Sequence, residues 1–312
     1  MALPHPERCI TMIVSIEKLP EKALALLSGQ QVANGKYSDE DLAKATVLMC
    51  WPSQISEGLL RKTPNLSAIQ TLSAGVDDIP YSLVPSKVRL FSNANAYSVS
   101  VAEHAWSLVL ALAKGIGRRD KSDSRILFEK TLLILGCGGI GSEAARMGRG
   151  FGMKIIGLSR SFLKPEHFDE KYTDLGELDR LLGVADVLIC TLPVNKFTTT
   201  MLDYDKLKIT KPHCIIVNVS RAEIFDENGI LKLLKERPET RFGTDVFWRK
   251  NGKEVFESKL WDLPNFLATK HTGGVGASRQ VRDDAIIFAA KNVLMYLNEG
   301  KASNEIRHSD YA

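Results

Sequence analysis

The chain has 312 residues, of which 44% are hydrophobic and 25% are charged. This length exceeds what one hydrophobic core usually organises, so we expect two domains of an ordinary globular protein. The 41 Lys and Arg residues outnumber the 37 Asp and Glu residues only slightly, and they are scattered along the chain rather than gathered in a stripe. This charge balance predicts no nucleic-acid partner and no membrane partner.

The amino-terminal sequence MALPHPERCITMIV lacks the charged lead-in, long apolar run and small-residue cleavage site of a signal peptide, and no later apolar stretch reaches membrane-spanning length. We therefore expect a cytoplasmic protein. The widely spaced Cys9, Cys50, Cys137, Cys190 and Cys214 are expected to be reduced, buried packing residues, because most lie in strand-like runs. The sequence shows no Cys, His or carboxylate cluster with the spacing of a metal site, so no metal is predicted.

Strand-like runs alternate with helical patterns along the chain, which is typical of α/β architecture with parallel sheets. Ser38 is expected to cap a helix whose first turn is acidic. The predicted strands are 46–51, 66–72, 131–135, 154–158, 187–191, 214–219, 241–247 and 266–269. The second of these runs ends in SAGVDD from Ser73 to Asp78, where glycine and polar residues predict a loop at the carboxyl end of a strand.

A long Ala- and Leu-rich helix is predicted from Ser98 to Lys114, with Gly115 just beyond its end. The segment is apolar on too many sides for a surface helix, so we expect it to be buried between domains or against a second subunit, which favours a homodimer. His104 lies inside it and is interpreted as a packing or interface residue. A final helix over 277–298 is expected to return to the first domain. Residues 1–95 and 278–312 would then form one domain and 96–277 the other, with the active site in the cleft.

The predicted strand 131–135 runs into Gly136-Cys137-Gly138-Gly139-Ile140-Gly141, and a helical pattern follows from Ser142. Strand, G-x-G-x-x-G and helix in this order are typical of a dinucleotide site. The first glycine permits a tight turn, the second lets the backbone approach a pyrophosphate, and the third allows close packing of helix and strand. The alternative is a glycine-rich turn that binds no ligand.

The next predicted strand, 154–158, is followed by Ser159-Arg160-Ser161, without the acidic residue that would bind the ribose hydroxyls of NAD. A guanidinium beside two hydroxyls suits an adenosine 2′-phosphate, so we expect NADP (NADPH) as the cofactor. Ser161 and Lys164 are expected to strengthen the preference for this phosphate. The alternative, that Arg160 only stacks over the adenine, leaves NAD possible as the cofactor.

Six segments in this order resemble the D-isomer-specific 2-hydroxyacid dehydrogenase family: SAGVDDI (73–79), VAEHAWSLVLAL (101–112), the glycine loop, VNVSRAEIFDENGI (217–230), TDVFW (244–248) and LATKHTGG (267–274). That family includes glyoxylate/hydroxypyruvate reductases, phosphoglycerate dehydrogenases and formate dehydrogenase. The resemblance implies two Rossmann-like or flavodoxin-like domains with parallel sheets, the discontinuous one being the substrate (catalytic) domain and the other the dinucleotide-binding domain. It implies hydride transfer between NADPH and a small 2-oxo acid, such as glyoxylate or hydroxypyruvate, giving the D-2-hydroxy acid.

The resemblance also implies residue roles. Arg221 would hold the substrate carboxylate and polarise its carbonyl group, and His271 would protonate the carbonyl oxygen as hydride arrives at carbon. Backbone amides of Ala74, Gly75 and Val76 would bind the substrate carboxylate. The implied cofactor-binding residues are Ser98, Gly136, Gly138, Gly139, Ile140, Gly141, Ser159, Arg160, Ser161, Leu192, Pro193, Val219, Ser220 and Asp245, the last of these on the nicotinamide carboxamide.

The chain departs from the family pattern at three places. Asn95 stands where glycine is common, and we expect it to keep the turn because Asn tolerates positive φ. Lys270 replaces the proline before the catalytic histidine, and its role is unexplained. The segment 248–254 replaces the usual acid-Pro stretch, so the carboxylate that pairs with the histidine is Glu254 or, alternatively, Glu257; we choose Glu254.

Two other functions stay open. The formate dehydrogenase branch resembles this chain less, because it has Gln rather than Glu as the partner of its histidine. A dinucleotide-sensing binding module of the corepressor type shares the same fold, but it does not need the Arg221 and His271 side chains. The sequence does not identify the physiological substrate, the direction of the reaction or the source organism.

Overall fold

The computed structural model describes residues 11–116, 124–307, 309 and 311. Cys9 lies outside the described residues. The chain divides into two compact units. The first comprises the described residues of Met1–Ala96 and Arg279–Ala312, and the second comprises those of Tyr97–Ser278. The unit boundaries fall one residue beyond the predicted domain boundaries.

The first unit is built on a five-stranded parallel sheet. With elements numbered along the whole chain, its strands are β1 (Met12–Ser15), β2 (Gln31–Asn34), β3 (Val47–Cys50), β4 (Ala68–Thr71) and β5 (Arg89–Phe91). Its helices are α1 (Glu21–Leu26), α2 (Asp39–Lys44), α3 (Glu57–Arg61) and α9 (Arg279–Glu299). The strand order β2-β1-β3-β4-β5 is that of flavodoxin-like domains.

The second unit is built on a seven-stranded parallel sheet of order β14-β11-β10-β9-β6-β7-β8. Its strands are β6 (Thr131–Cys137), β7 (Lys154–Phe162), β8 (Glu170–Tyr172), β9 (Val187–Cys190), β10 (Ile215–Asn218), β11 (Arg241–Thr244) and β14 (Phe266–Ala268), with a separate hairpin of β12 (Arg249–Lys250) and β13 (Lys253–Glu254). Its helices are α4 (Ser98–Lys114), α5 (Gly139–Gly150), α6 (Leu178–Val184), α7 (Tyr204–Leu207) and α8 (Glu227–Glu236). In this order β6 lies between β9 and β7, where the two halves of a Rossmann sheet diverge. Both sheets confirm the predicted α/β fold.

The central strands are buried at every position, which explains why their sequences are continuous apolar runs rather than alternating patterns. Strands β3 (VLMC), β9 (VLIC) and β10 (IIVN) have no exposed residue. Parallel sheets have this composition because helices cover both faces. Cys50, Cys137, Cys190 and Cys214 are free and buried, as predicted. Burial raises the pKa of the Cys190 thiol to about 11 despite a hydrogen bond to Ser220.

Helix α4 has the predicted bounds, and Gly115 ends it in the left-handed conformation at φ 66°. Its apolar side chains are covered within its own unit, by α5 and by strands β10, β11 and β14. Val101, Ala105 and Leu108 are buried, whereas Val99 is 50% exposed. One subunit therefore supplies the covering surface, so the reason given for a homodimer is wrong and the homodimer itself stays a prediction.

Three predicted element boundaries differ from the structure by three or four residues. Strand β7 continues through Ser159, Arg160 and Ser161 to Phe162, because the segment pairs again with Cys137 beyond a register shift in β6. Helix α5 begins at Gly139 instead of Ser142, so the glycine loop supplies its first turn. Strand β11 ends at Thr244, since the chain turns there to place Asp245 at the sheet edge. The helix cap at Ser38 is confirmed as a capping box with Asp41.

Among the described residues, no helix combines the length and the apolar character that crossing a bilayer requires. In the same part of the chain, no group of three or more His, Cys, Asp or Glu side chains is arranged to hold a metal ion.

Candidate active site

The three glycines of the loop after β6 meet three different spatial demands. Gly136 has φ +93°, and a Cβ there would lie 2.9 Å from the amide nitrogen of Leu192. A Cβ on Gly141 would lie 2.0 Å from the carbonyl oxygen of Gly136. A Cβ on Gly138 would meet nothing within 4 Å. The first and third glycines thus serve the fold, whereas the second borders open space where a ligand can approach the backbone.

The amino end of α5 faces this loop. Gly138 is the N-cap residue, and Gly139 and Ile140 are the first two residues of the helix. The amides of such a turn and the helix dipole favour an anion. At the start of α4, the Ser98 side chain is buried and its hydroxyl has no hydrogen-bond partner among the described residues. These features fit the pyrophosphate and polar groups of a dinucleotide.

Residues that follow the neighbouring strands lie at the same carboxyl edge. Leu192 and Pro193 come after β9, and the Thr191 hydroxyl donates to the carbonyl oxygen of Gly136 at 2.5 Å, which ties that loop to the glycine turn. Val219 and Ser220 come after β10 and are buried. Their predicted contacts with the cofactor stay predictions.

Near the segment predicted to select the cofactor lies an ion pair that the sequence did not indicate. Arg160 and Ser161 are exposed and Ser159 is half-buried. The Lys164 ammonium lies 2.6 Å from Glu143 Oε1, and Arg146 Nε donates to the other oxygen of that carboxylate at 2.8 Å. Glu143 thus contacts both Lys164 and Arg146, and the expected contribution of Lys164 to phosphate binding stays a prediction.

Arg221 follows β10 in a turn that a buried amide stabilises. Asn218 is 1% exposed, and its Oδ1 accepts hydrogen bonds from the backbone amide and the hydroxyl of Ser220 at 3.0 and 2.7 Å. Its Nδ2 donates to the carbonyl oxygen of Arg221 at 2.9 Å. The Arg221 side chain is half-buried and Nη1 donates to the carbonyl oxygen of Ser220. Asn218 thus fixes the backbone position from which the Arg221 side chain extends.

His271 lies in a turn with φ 54°, an unusual conformation for a residue other than glycine. Its amide donates to the carbonyl oxygen of Asp245 at 2.7 Å. The Asp245 carboxylate accepts from the amides of Thr272 and Gly273, both at 2.8 Å, and from the Thr269 hydroxyl at 2.5 Å. Asp245 therefore compensates the cost of the strained turn by accepting its backbone donors.

Burial alone would raise the pKa of Asp245, but donors from four residues lower it to about 2. The donors are His104, Thr269, Thr272 and Gly273. His104 Nε2 lies 3.3 Å from the carboxylate and 2.7 Å from the Thr269 hydroxyl. His104 is therefore a polar support of the His271 turn, which corrects its interpretation as a packing or interface residue. The predicted contact of Asp245 with the nicotinamide carboxamide stays a prediction.

The carboxylate beside His271 belongs to Glu254. Its Oε2 accepts from His271 Nδ1 at 2.8 Å, and its Oε1 accepts from the Phe247 amide at 3.1 Å. The side chain of Glu254 is 19% exposed and that of His271 is 45% exposed. The exposed Glu257 is not needed for this contact. Lys270, unexplained from the sequence, lies over the ring of Phe256 at 5.6 Å from its centroid.

The loop predicted to bind the substrate carboxylate belongs to the first unit and follows β4. Hydroxyl groups hold three of its carbonyl oxygens: Thr71 donates to Ser73, Ser73 to Gly75, and Tyr81 to Val76, at 2.7 to 3.0 Å. Ala74 and Gly75 are half-buried. The role of the amides of Ala74, Gly75 and Val76 stays a prediction. In the same unit, Asn95 has φ 77°, which confirms the expected positive φ.

A parallel sheet of this order, with the glycine turn at its carboxyl edge, defines a dinucleotide-binding domain. The chain belongs to the D-isomer specific 2-hydroxyacid dehydrogenase family, because the family's sequence model of the NAD binding domain matches residues 88–273, more than half of the chain. The protein is therefore an oxidoreductase with an NAD(P)-binding domain, as the resemblance implied.

Individual relatives agree with this family. A glyoxylate reductase of Thermococcus litoralis is 29% identical over 262 residues, covering 78% of this chain and 77% of the relative. A D-3-phosphoglycerate dehydrogenase of Methanocaldococcus jannaschii is 27% identical over 314 residues, covering 94% of this chain and 59% of the relative. The crystal structure of a proposed formate dehydrogenase from Pyrobaculum aerophilum has a TM-score of 0.81 and 28% identity, covering 97% of this chain and 100% of that one.

Proposed function

We propose that the protein reduces a small 2-oxo acid, such as glyoxylate or hydroxypyruvate, with NADPH, and that a chiral 2-hydroxy acid product has the D configuration. The observation that carries the proposal is the 2.8 Å hydrogen bond between His271 Nδ1 and Glu254, at the sheet edge that also holds Arg221. A cation beside an oriented acid meets the two needs of 2-oxo acid reduction, charge stabilisation at the carboxylate and proton delivery to oxygen.

Arg221 acts as the substrate clamp. Its guanidinium offers a planar fork of donors that matches a carboxylate, and the same cation polarises the adjacent carbonyl group. The Asn218 bond to the carbonyl oxygen of Arg221 holds the backbone of this residue, so the clamp position is set before the substrate binds. Changing Arg221 to Lys is expected to raise KM and lower kcat, because a point charge cannot reproduce the fork.

His271 acts as the proton donor. Because a carboxylate can only accept, Nδ1 of His271 donates to Glu254, and Nε2 is left to face the substrate oxygen. When bound, the reduced dinucleotide supplies the hydride that reaches the carbonyl carbon. His271 delivers a proton from Nε2 to the oxygen in the same reduction, and Glu254 stabilises the imidazolium before that transfer. Replacing His271 with Ala is expected to lower kcat by about two to four orders of magnitude.

The preference for NADPH rests on Ser159 and Arg160. An acidic residue at position 159 would repel a 2′-phosphate, whereas the exposed Arg160 can bind one. One charge-assisted contact contributes about 1.5–3 kcal/mol, which corresponds to a preference of about ten- to a hundredfold in kcat/KM. The double change Ser159→Asp with Arg160→Ala is expected to reverse the preference toward NADH. If the unchanged enzyme uses NADH as efficiently as NADPH, this part of the proposal fails.

A panel of 2-oxo acids assayed with NADPH and NADH tests the proposal. Oxidation of NADPH with glyoxylate or hydroxypyruvate, abolished in the His271→Ala variant, is the expected result. Glu254 disfavours a formate dehydrogenase, which has Gln as the partner of its histidine. Reduction of NAD⁺ by formate without turnover of 2-oxo acids would contradict the proposed function. Dinucleotide binding without turnover of any acid would instead indicate a sensing module.

A further inference from the structure

The segment that replaces the family's acid-Pro stretch is a short β-hairpin. Strands β12 and β13 pair antiparallel, with Arg249 directly opposite Glu254. The turn between them is Asn251-Gly252, with φ 52° and 76°. Positive φ at both central residues is typical of a type I′ turn, which fixes the register of a two-residue hairpin. The hairpin therefore sets the position of the carboxylate that contacts His271.

Two side-chain contacts tie this hairpin to the turn that follows Arg221. Arg249 Nε donates to Glu223 Oε1 at 2.8 Å, and the two side chains are only 19% and 26% exposed. Trp248 Nε1 donates to the carbonyl oxygen of Phe225 at 2.9 Å. The second oxygen of Glu223 is buried without a hydrogen-bond partner among the described residues. Arg249 is thus an important neutralising partner of a carboxylate that water reaches poorly.

The ion pair joins the two elements that carry the proposed chemistry. Glu223 lies in the 3-10 turn Ala222–Ile224, for which Arg221 is the N-cap residue. Arg249 lies opposite Glu254, which hydrogen-bonds His271. A shift of the hairpin relative to the 3-10 turn would therefore change the spacing between the clamp and the proton donor.

We propose that Arg249 and Glu223 are positioning residues that hold the His271–Glu254 pair at the correct distance from Arg221. This inference rests on the proposed function for its kinetic consequence. Misplacing a catalytic group by about 1 Å can lower the rate about a hundredfold, so the pair matters even though neither residue is assigned a contact with substrate. The Trp248 bond keeps the hairpin attached when the ion pair is removed, so these variants are expected to fold.

The test uses Arg249→Met, Glu223→Gln, their combination, and Arg249→Lys. Each neutral single variant is expected to lower kcat about 10- to 100-fold. The dissociation constants of these variants for NADPH should change little. Their melting temperatures should also change little, except that of Arg249→Met, which should fall because Glu223 loses its neutralising cation. A larger solvent deuterium isotope effect should report impaired proton transfer. The combined variant should lose no more than the worse single one, because the two residues act as a unit. Arg249→Lys should recover most of the rate, since an ammonium group can approach the same carboxylate.

The matched control is Arg180→Met, which removes another Arg–Glu contact of the same unit, the 2.7 Å pair with Glu177. It should leave kcat within about twofold, as expected of an exposed pair. The proposal would be overturned by additive losses of kcat, by a wild-type kcat in Glu223→Gln or in the combined variant, or by a loss confined to the variant whose melting temperature falls.

A second readout does not depend on turnover. The hydrogen-bonded Nδ1 proton of His271 should give a low-field NMR signal in the wild-type protein. The signal is assigned to His271 because it should be absent from the His271→Ala spectrum. We expect it to shift or broaden in Arg249→Met and to stay unchanged in Arg180→Met. An unchanged signal in Arg249→Met overturns the positioning role. A wild type that turns over no 2-oxo acid overturns the proposed function instead, whatever this signal does.

Discussion

The Asp245→Asn variant tests whether this carboxylate stabilises the His271 turn. Asp245 is 3% exposed and accepts from the amides of Thr272 and Gly273. Asparagine has the same shape but no charge, and it presents an amide group in place of one accepting oxygen. One backbone donor of the strained turn would then lose its acceptor, which costs about 1–3 kcal/mol.

The charge itself adds a contribution that depends on pH. The pKa of Asp245 falls from 3.8 to about 2 because donors from the turn, Thr269 and His104 outweigh burial. At pH values above the ordinary pKa, this lowered carboxyl pKa stabilises the native state by about 2 kcal/mol. The stabilisation is lost as the pH falls through the native pKa. The difference in unfolding free energy between wild type and Asp245→Asn is therefore expected to narrow by about 1 kcal/mol between pH 7 and pH 3.

Urea unfolding followed by tryptophan fluorescence measures this difference. In a Trp51→Phe background the three remaining tryptophans, Trp106, Trp248 and Trp261, all belong to the second unit, so the signal reports that unit. The control is Asp174→Asn, an exposed N-cap at which Asn is an equally good residue. If Asp245→Asn is as stable as the control at pH 7, or if the difference does not narrow by pH 3, the stabilising role is refuted.

Further predictions concern the carboxylate beside His271 and the glycine loop. Glu254→Gln should lower kcat by about tenfold or more, because a neutral amide stabilises the imidazolium poorly. Glu257→Gln should retain the wild-type rate. If steady-state kinetics show the reverse, the wrong carboxylate was chosen. Gly138→Ala should fold normally, since its Cβ enters open space and its φ of −74° suits alanine, but should weaken NADPH binding about tenfold or more by obstructing the backbone. Gly141→Ala should instead lower the melting temperature, because its Cβ would overlap the preceding turn. Equal melting temperatures for the two glycine variants, or unchanged binding by Gly138→Ala in a fluorescence titration, would contradict this division of roles.

Features that depend on neighbouring residues in the sequence could be predicted. The bounds of helix α4, its glycine stop, the cap at Ser38 and the glycine loop all follow from local patterns with a direct physical cause. The positive φ of Asn95 was also predictable from residue type. Each of these features is determined within one element or one turn.

Features that depend on contacts distant in sequence could not be predicted. The continuation of β7 to Phe162 results from pairing with Cys137, and the Asp245 network includes His104 of helix α4. The hairpin had a signal that sequence reasoning missed, since Asn-Gly is a strong indicator of a type I′ turn. Recognising Asn251-Gly252 would have placed Glu254 in a paired strand. The homodimer argument failed because the covering surface of α4 comes from β10 and its neighbours in the same unit.

Transfer of deuterium from the cofactor to the product tests the central claim most directly. NADPH labelled with deuterium at both C4 positions is incubated with the protein and hydroxypyruvate, or another 2-oxo acid of the panel whose product is chiral. The product is analysed by NMR and by chiral chromatography. We expect a D-2-hydroxy acid with one deuterium at C2 and an oxygen-bound proton from solvent. The His271→Ala variant should form at most a small amount of this product. A product without deuterium at C2, a product of L configuration, or an equal yield from His271→Ala would contradict it.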